Sequence, residues 1–190
     1  MLKFQTQQLI YAQDKMSVQS ALDSFGKGIV QQSRSNLSKK KKKDTGGLYD
    51  SIKYDLKVSK NSFQLSFSML SYGTYVDKGV KGVGGTKADG SSWKTKIVTN
   101  SPFKYTNKKP PTKALDGWVL RKGFVGRNAK GQMQSRASAK FAVATSIFHT
   151  GIETTNFFTT PFENEFNKLP EQLVEAYNLE LDTFLKYTLK

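Results

Sequence analysis

The chain has 190 residues, with 30 Lys and Arg against 15 Asp and Glu, 37% hydrophobic residues, 13 Phe, 8 Tyr and no cysteine. That length and apolar content suffice for a hydrophobic core and argue against a disordered chain. The absence of cysteine excludes a disulfide framework, a thiolate metal site and a Cys–His nucleophile.

The net charge of +15 is concentrated. Residues 78–140 carry 15 basic and 2 acidic side chains, whereas residues 153–190 carry 3 basic and 7 acidic ones. A concentrated positive field attracts phosphate backbones or an acidic protein surface. The acidic C-terminal segment is itself a candidate complement on a neighbouring copy. The start, MLKFQTQQLIYAQDK, lacks a signal-peptide apolar region, and no run approaches the roughly 18 apolar residues of a membrane span. The expectation is a soluble protein made in the cytoplasm, with no membrane partner.

In chain order, residues 1–13 read as an N-terminal arm and 14–190 as a single α+β domain. Val18, Leu22, Phe25, Ile29 and Gln32 form one stripe at helical spacing over residues 14–38. Gly26 and Gly28 each cost about 1 kcal/mol inside a helix, so tertiary packing has to support it. Lys39, Lys40, Lys41, Lys42 and Lys43 follow as a charged run, either a solvated linker or a set of phosphate contacts.

Leu48, Ile52, Tyr54, Leu56 and Val58 then share one parity of a strand, and Phe63, Leu65, Phe67 and Met69 share one parity of a second. Ser59-Lys60-Asn61-Ser62 between them reads as a hairpin turn. From Ser71 to Phe124 a compact aromatic opening, Tyr72 to Asp77, leads into a long lysine- and glycine-rich loop, residues 80–109, ended by Pro110-Pro111. Connections usually run about 4 to 6 residues, and long loops are commonly binding loops or disordered. Trp93, Thr95, Ile97 and Thr99 alternate with Lys94, Lys96 and Val98 and suggest a further strand inside it.

Lys113–Lys122 reads as a short helix with Thr112 as N-cap, Gly123 as stop, and Leu115, Trp118 and Val119 on one face. Residues 126–134 form a second basic loop. Ser135–Thr150 is helical, with Ala137, Phe141, Ala144 and Phe148 as its stripe and Gly151 as its end. Asn156–Phe162 is an aromatic turn that plugs the core edge, and a last helix over residues 170–187 buries Leu173, Tyr177, Leu181 and Phe184. The sum is an α+β fold: a small antiparallel β-sheet packed against several α-helices, with a long basic loop.

Catalytic chemistry finds little footing. The one histidine, His149, sits beside Phe148 on a helix and reads as a partly buried structural residue. Asp77, Asp89 and Asp116 are widely spaced; Asp77 reads as a structural hydrogen-bond or ion-pair partner. Residues 79–85 are glycine-rich but lack the GxxxxGK[ST] pattern of a phosphate loop, and their glycines suit bending or close approach to a partner's backbone. No catalytic residue, metal site or cofactor is assigned, and the chain is expected not to be an enzyme.

Four segments occur in order: Thr45-Gly46-Gly47-Leu48-Tyr49-Asp50-Ser51-Ile52; Tyr72-Gly73-Thr74-Tyr75-Val76-Asp77-Lys78-Gly79; Pro110-Pro111 with Ala114-Leu115, Trp118 and Lys122-Gly123; and Ser146-Ile147-Phe148 with Gly151-Ile152 and Phe157-Phe158. This string, over roughly residues 45–162, resembles the tail-completion or head-tail joining (neck) proteins of tailed bacteriophages. The chain departs from that pattern in the length and lysine content of residues 80–109 and in the lysine run after the first helix.

The resemblance implies a non-enzymatic virion component, assembled in the bacterial cytoplasm, that joins the portal side of the capsid to the tail around the DNA exit channel. Its implied partners are itself, as a cyclic homo-oligomer of about six or twelve copies, the portal or adaptor and tail proteins, and, non-specifically, channel DNA. On that basis Tyr72, Tyr75, Asp77, Lys78, Lys81, Trp93, Lys94, Phe103, Lys104 and Tyr105 are candidates for a subunit or ring interface. Lys39 to Lys43, Lys108 and Lys109 are candidates for phosphate or acidic-partner contacts. The rival reading is a basic nucleic-acid-binding protein, a phage regulator or packaging accessory, using Trp93, Phe103 and Tyr105 for stacking.

Overall fold

Helix α1, Val18–Lys39, opens the described chain, and its buried face is Ala21, Phe25, Gly26, Ile29, Val30, Ser33 and Leu37. A computed structural model describes residues 17–59, 62–123, 131 and 135–188, with side chains as far as Asn178 in the last helix. The expected arm and most of the loop over 126–134 lie outside these residues. The order continues as α2 (Gly47–Ser51), β1 (Lys53–Ser59), β2 (Ser62–Ser68), α3 (Gly73–Lys78), β3 (Val80–Lys81), a 3-10 turn (Thr112–Leu115), α4 (Asp116–Arg121), α5 (Arg136–Thr150), β4 (Gly151–Ile152), α6 (Thr159–Phe166) and α7 (Leu169–Thr188). This is an α+β fold. No helix among the described residues is long and apolar enough to cross a membrane.

The chain divides into two compact units, one taking in the residues up to Leu37, Tyr49–Met69 and Phe158 onward, the other Ser38–Leu48 and Leu70–Phe157. In the first unit β1 and β2 pair antiparallel from Lys53↔Ser68 to Ser59↔Ser62, as the expected hairpin requires; its two central residues lie outside those described. Tyr54↔Phe67, Leu56↔Leu65 and Val58↔Phe63 place apolar side chains opposite one another on a single face. Phe25, Ile29 and Leu169 form the buried centre, with Leu22, Leu65, Phe67, Phe158, Phe162 and Leu173 packed on it. Phe67 meets Phe25, Phe158 and Phe162 edge to face, at centroid distances of 6.3, 5.6 and 6.0 Å, the arrangement that the ring quadrupoles favour. The sequence segments Val18–Lys39 and Asn156–Phe162 thus do supply core.

Several expectations are corrected here. Leu48 belongs to α2 and not to the first strand, because residues 47–51 close a helical turn whose end is held by Arg34. The Arg34 guanidinium donates to the carbonyls of Tyr49 and Ile52, both at 3.0 Å, and so satisfies acceptors that a helix end leaves open. Gln32 is exposed and donates to Glu165 at 2.8 Å, while Ser33 takes the buried position one residue on. In α7 the buried residues among those described are Leu169 and Ala176, and Tyr177 is 60% exposed. A small side chain on the inner face lets the helix sit close and turns its larger neighbour to solvent. The strip Leu173–Tyr177 therefore does not run inward as one, and Leu181 and Phe184 lie beyond the described side chains.

In the second unit α5 has the expected N-terminus, where the Ser135 hydroxyl accepts from the Ser138 amide at 3.2 Å. Of the expected stripe Ala144 is buried and Phe148 half-buried, whereas Ala137 is exposed, Phe141 is 57% exposed and Ala139 is buried instead. An alanine-rich helix has little amphipathic contrast to fix which face turns inward. Ahead of α4, Pro111 and not Thr112 occupies the cap position, with extended backbone and no side-chain cap bond. Val119 is buried with Leu115 and Trp118 half-buried beside it in the sequence, and Gly123 ends the helix at φ 62°. Trp93–Thr99 forms no strand; its backbone bonds once each to Gly85 and Thr150 and twice to Thr154, and Ile97 is 79% exposed.

Candidate anion- and partner-binding surface

The second unit holds every residue singled out from the sequence for an interface or a phosphate contact. Its base is the end of α3. Tyr72–Gly79 is no loop: Gly73–Lys78 is helical, and four successive carbonyls at its C-terminus are taken up by side chains and amides from elsewhere. The Thr155 hydroxyl donates to Val76 at 2.6 Å, the amides of Thr155 and Asn156 donate to Asp77 at 3.0 and 2.9 Å, the Thr154 hydroxyl donates to Lys78 at 2.8 Å, and the Ser101 hydroxyl donates to Gly79 at 2.7 Å. Asp77, Ser101 and Thr155 are buried. Buried backbone acceptors need partners, and this set supplies them. Ser101, Thr154 and Thr155 carried no sequence signal, because their role depends on a carbonyl far away in the chain.

From this base the basic segment is tied down at intervals. β3 pairs antiparallel with β4 through Val80↔Ile152 and Lys81↔Gly151. On its other side Lys81 forms a parallel bridge with Lys104: the Lys81 amide donates to Phe103 and the Tyr105 amide to Lys81, both at 2.9 Å. Val83 and Gly84 donate to Phe148 and His149 at 3.0 and 2.9 Å. The Lys96 amide donates to Thr150 at 2.7 Å, and the Thr154 amide to Ile97 at 3.2 Å. The glycines expected to approach a partner's backbone instead approach this chain's own, since a side chain at Gly82 would strike the backbone of residues 149–151.

The aromatic candidates are divided between support and surface. Tyr75 meets Phe103 at 4.6 Å between centroids and remains 44% exposed. Tyr105 lies 5.9 Å from Phe148, and its burial pushes its hydroxyl pKa up. Trp93 stacks flat on His149 at 5.0 Å, the Lys87 ammonium lies 5.2 Å from the Trp93 ring centroid, and the His149 Nδ1 lies 2.6 Å from the Gly84 carbonyl. His149 is therefore a half-buried structural residue of the loop base. Tyr72 is exposed, Lys78 half-buried, and Lys81, Lys94 and Lys104 exposed.

Among the second set, Lys39 ends α1, where a cation suits the helix C-terminus. Lys40 to Lys43 are exposed, with Lys42 3.9 Å from Glu153. Lys108 is exposed; Lys109 donates to the Thr145 hydroxyl at 3.0 Å and lies 4.5 Å from the Phe141 ring centroid, a cation–π contact that covers part of that exposed ring. The structure thus brings Tyr75, Lys81, Phe103, Lys104 and Tyr105 together and leaves Trp93 on a separate stack with His149. Among the described residues no group of three or more His, Asp or Glu side chains is arranged to hold a metal ion. The chain matches no protein-family model, no curated protein and no solved structure.

Proposed function

We propose that this chain is a non-enzymatic structural subunit of a tailed-phage particle, a neck or tail-completion component that assembles with copies of itself between the portal or adaptor and the tail, around the channel through which DNA leaves. The observation that carries the reading is a surface of large apolar side chains on a backbone that is already locked. Tyr72, Tyr75, Val83, Ile97, Leu120 and Phe141 are exposed in the second unit; Tyr72 and Tyr75 stand at α3, whose C-terminal carbonyls are all taken up, and Val83 and Ile97 on the segment pinned by the bonds to Phe148, His149, Thr150 and Thr154. Exposed apolar groups on a pre-ordered framework suit assembly, because little ordering entropy remains to be lost when a neighbour docks. The ordered motif string from Thr45 to Phe158 supports the same reading. Electron cryomicroscopy of purified particles tests it. The expected result is density for this chain in a ring at the head-tail junction, with Tyr72–Gly79 and parts of 82–109 against an adjacent subunit; absence of the chain from particles overturns it.

A further inference from the structure

Lys81 and Lys104 face each other across a parallel bridge, a pairing that no periodicity in the chain predicts. Paired strands run about 4.8 Å apart and bridge partners project to the same face, so two positive charges are held side by side. Such like-charge opposition is destabilising on its own. Neither lysine makes an ion pair among the described residues, and both are exposed. On the far side of Lys81 the partner is Gly151, which has no side chain, and the residue before Gly151 accepts the amide of Lys96, also exposed. Lys104, Lys81 and Lys96 therefore lie on laterally bonded segments, with Gly151 of β4, which carries no side chain, between the last two. Glu153, the acid nearest along β4, is itself directed to Lys42.

The opposite parity of the same segment points the other way. Ser101 is buried and Phe103 and Tyr105 are half-buried, while Pro102, Lys104 and Thr106 are exposed. The strip is consequently cationic on one face and aromatic on the other, with Val83 and Ile97 as the exposed apolar neighbours of Lys81 and Lys96. A phosphate backbone requires only spaced cations. We infer that the strip formed by Lys104, Lys81 and Lys96 is a binding site for the phosphate backbone of a nucleic acid, read without regard to base sequence. This reassigns Lys81 and Lys104 from the subunit interface. It fits a subunit placed around DNA, but its test needs only the isolated chain, so it stands or falls separately from the presence of the chain in particles.

The experiment is fluorescence anisotropy with the full chain and a labelled duplex of about twenty base pairs, repeated with one of its single strands, from about 50 to 200 mM salt. The double variant Lys81→Gln/Lys104→Gln is expected to bind the duplex at least roughly tenfold more weakly at the lowest salt, with a log–log salt slope shallower by about 1.8, or about 1.4 on the single strand. The double variant Lys81→Arg/Lys104→Arg keeps the binding, and Lys57→Gln, on the hairpin of the other unit, leaves it unchanged. Both lysines contribute only backbone atoms to the pairing, so the Gln variant should melt no lower than the parent and, with the repulsion removed, slightly higher at low salt. Equal affinity and slope for parent and Gln variant, an equal loss in Lys57→Gln, or no salt-dependent binding by the parent overturns the inference.

Discussion

Gly82 and Gly151 pack backbone to backbone: a methyl group on Gly82 would lie 2.5 Å from the Gly151 nitrogen, and one on Gly151 would lie 2.6 Å from the Gly82 nitrogen. Gly151 also has φ 82° and ψ −174°, a conformation essentially restricted to glycine. This contact ends α5, begins β4 and sets the base of the basic segment. Gly151→Ala is expected to destabilise the protein by about 3 kcal/mol or more, combining backbone strain with a clash that only backbone movement relieves. Gly90→Ala, with a similar φ of 81° but open space around it, should cost only about 1 kcal/mol. Urea denaturation of the two variants distinguishes them, and equal losses would show that packing at Gly151 contributes nothing.

The two glycines of α1 differ in the same way. A side chain at Gly26 would meet the Tyr54 ring at 2.5 Å, whereas nothing lies within 4 Å of the corresponding position at Gly28. Tyr54 is held in place by its hydroxyl, which donates to Asp23 at 2.7 Å. Gly28→Ala should therefore gain about 0.5–1 kcal/mol of helix propensity. Gly26→Ala should lose stability despite the same local gain. Thermal melts moving in the same direction for both would contradict the packing of Tyr54 on α1.

Ser33 is fully buried in α1, and among the described residues its hydroxyl has no hydrogen-bond partner. A buried donor without a partner costs free energy that an alanine avoids. Ser33→Ala is expected to raise stability by about 1 kcal/mol, read from the shift in urea midpoint at unchanged slope. A loss of stability would mean that the hydroxyl finds a partner in solution.

Arg121 grips Asp44 through Nε, 3.1 Å from each carboxylate oxygen, and through a further contact from Nη2 to Oδ2. The hydrogen bonds from Arg121 hold the Asp44 carboxyl below its ordinary value, with desolvation opposing them. A depressed folded-state pKa contributes stability that is present above the unfolded-state pKa and is lost as the pH falls through the folded one. Titration of the carboxyl carbon by NMR should place Asp44 below the ordinary aspartate value, and Arg121→Gln should bring it back up. An unchanged midpoint in that variant would remove Arg121 as the cause.

The first helix, expected over residues 14–38, the alternations in Tyr54–Val58 and Phe63–Phe67, and the start and stop of α5 at Ser135 and Gly151 were all legible in the amino-acid sequence. Their causes are local: side-chain period, a capping hydroxyl and a glycine conformation. So was the concentration of positive charge over residues 78–140, which composition alone determines. The rest depends on which distant groups meet. Leu48 joins a helix because Arg34 holds the end of α2, and α5 buries Ala139 and leaves Ala137 and Phe141 of the expected stripe exposed. Ser101, Thr154 and Thr155 matter only because the α3 carbonyls require donors. Lys81 and Lys104 become neighbours only because a two-residue strand and an irregular segment share amide bonds. Tertiary structure alone decided these relationships, since each is a hydrogen bond or steric contact between residues far apart in the chain, and sequence periodicity records only what neighbouring residues do.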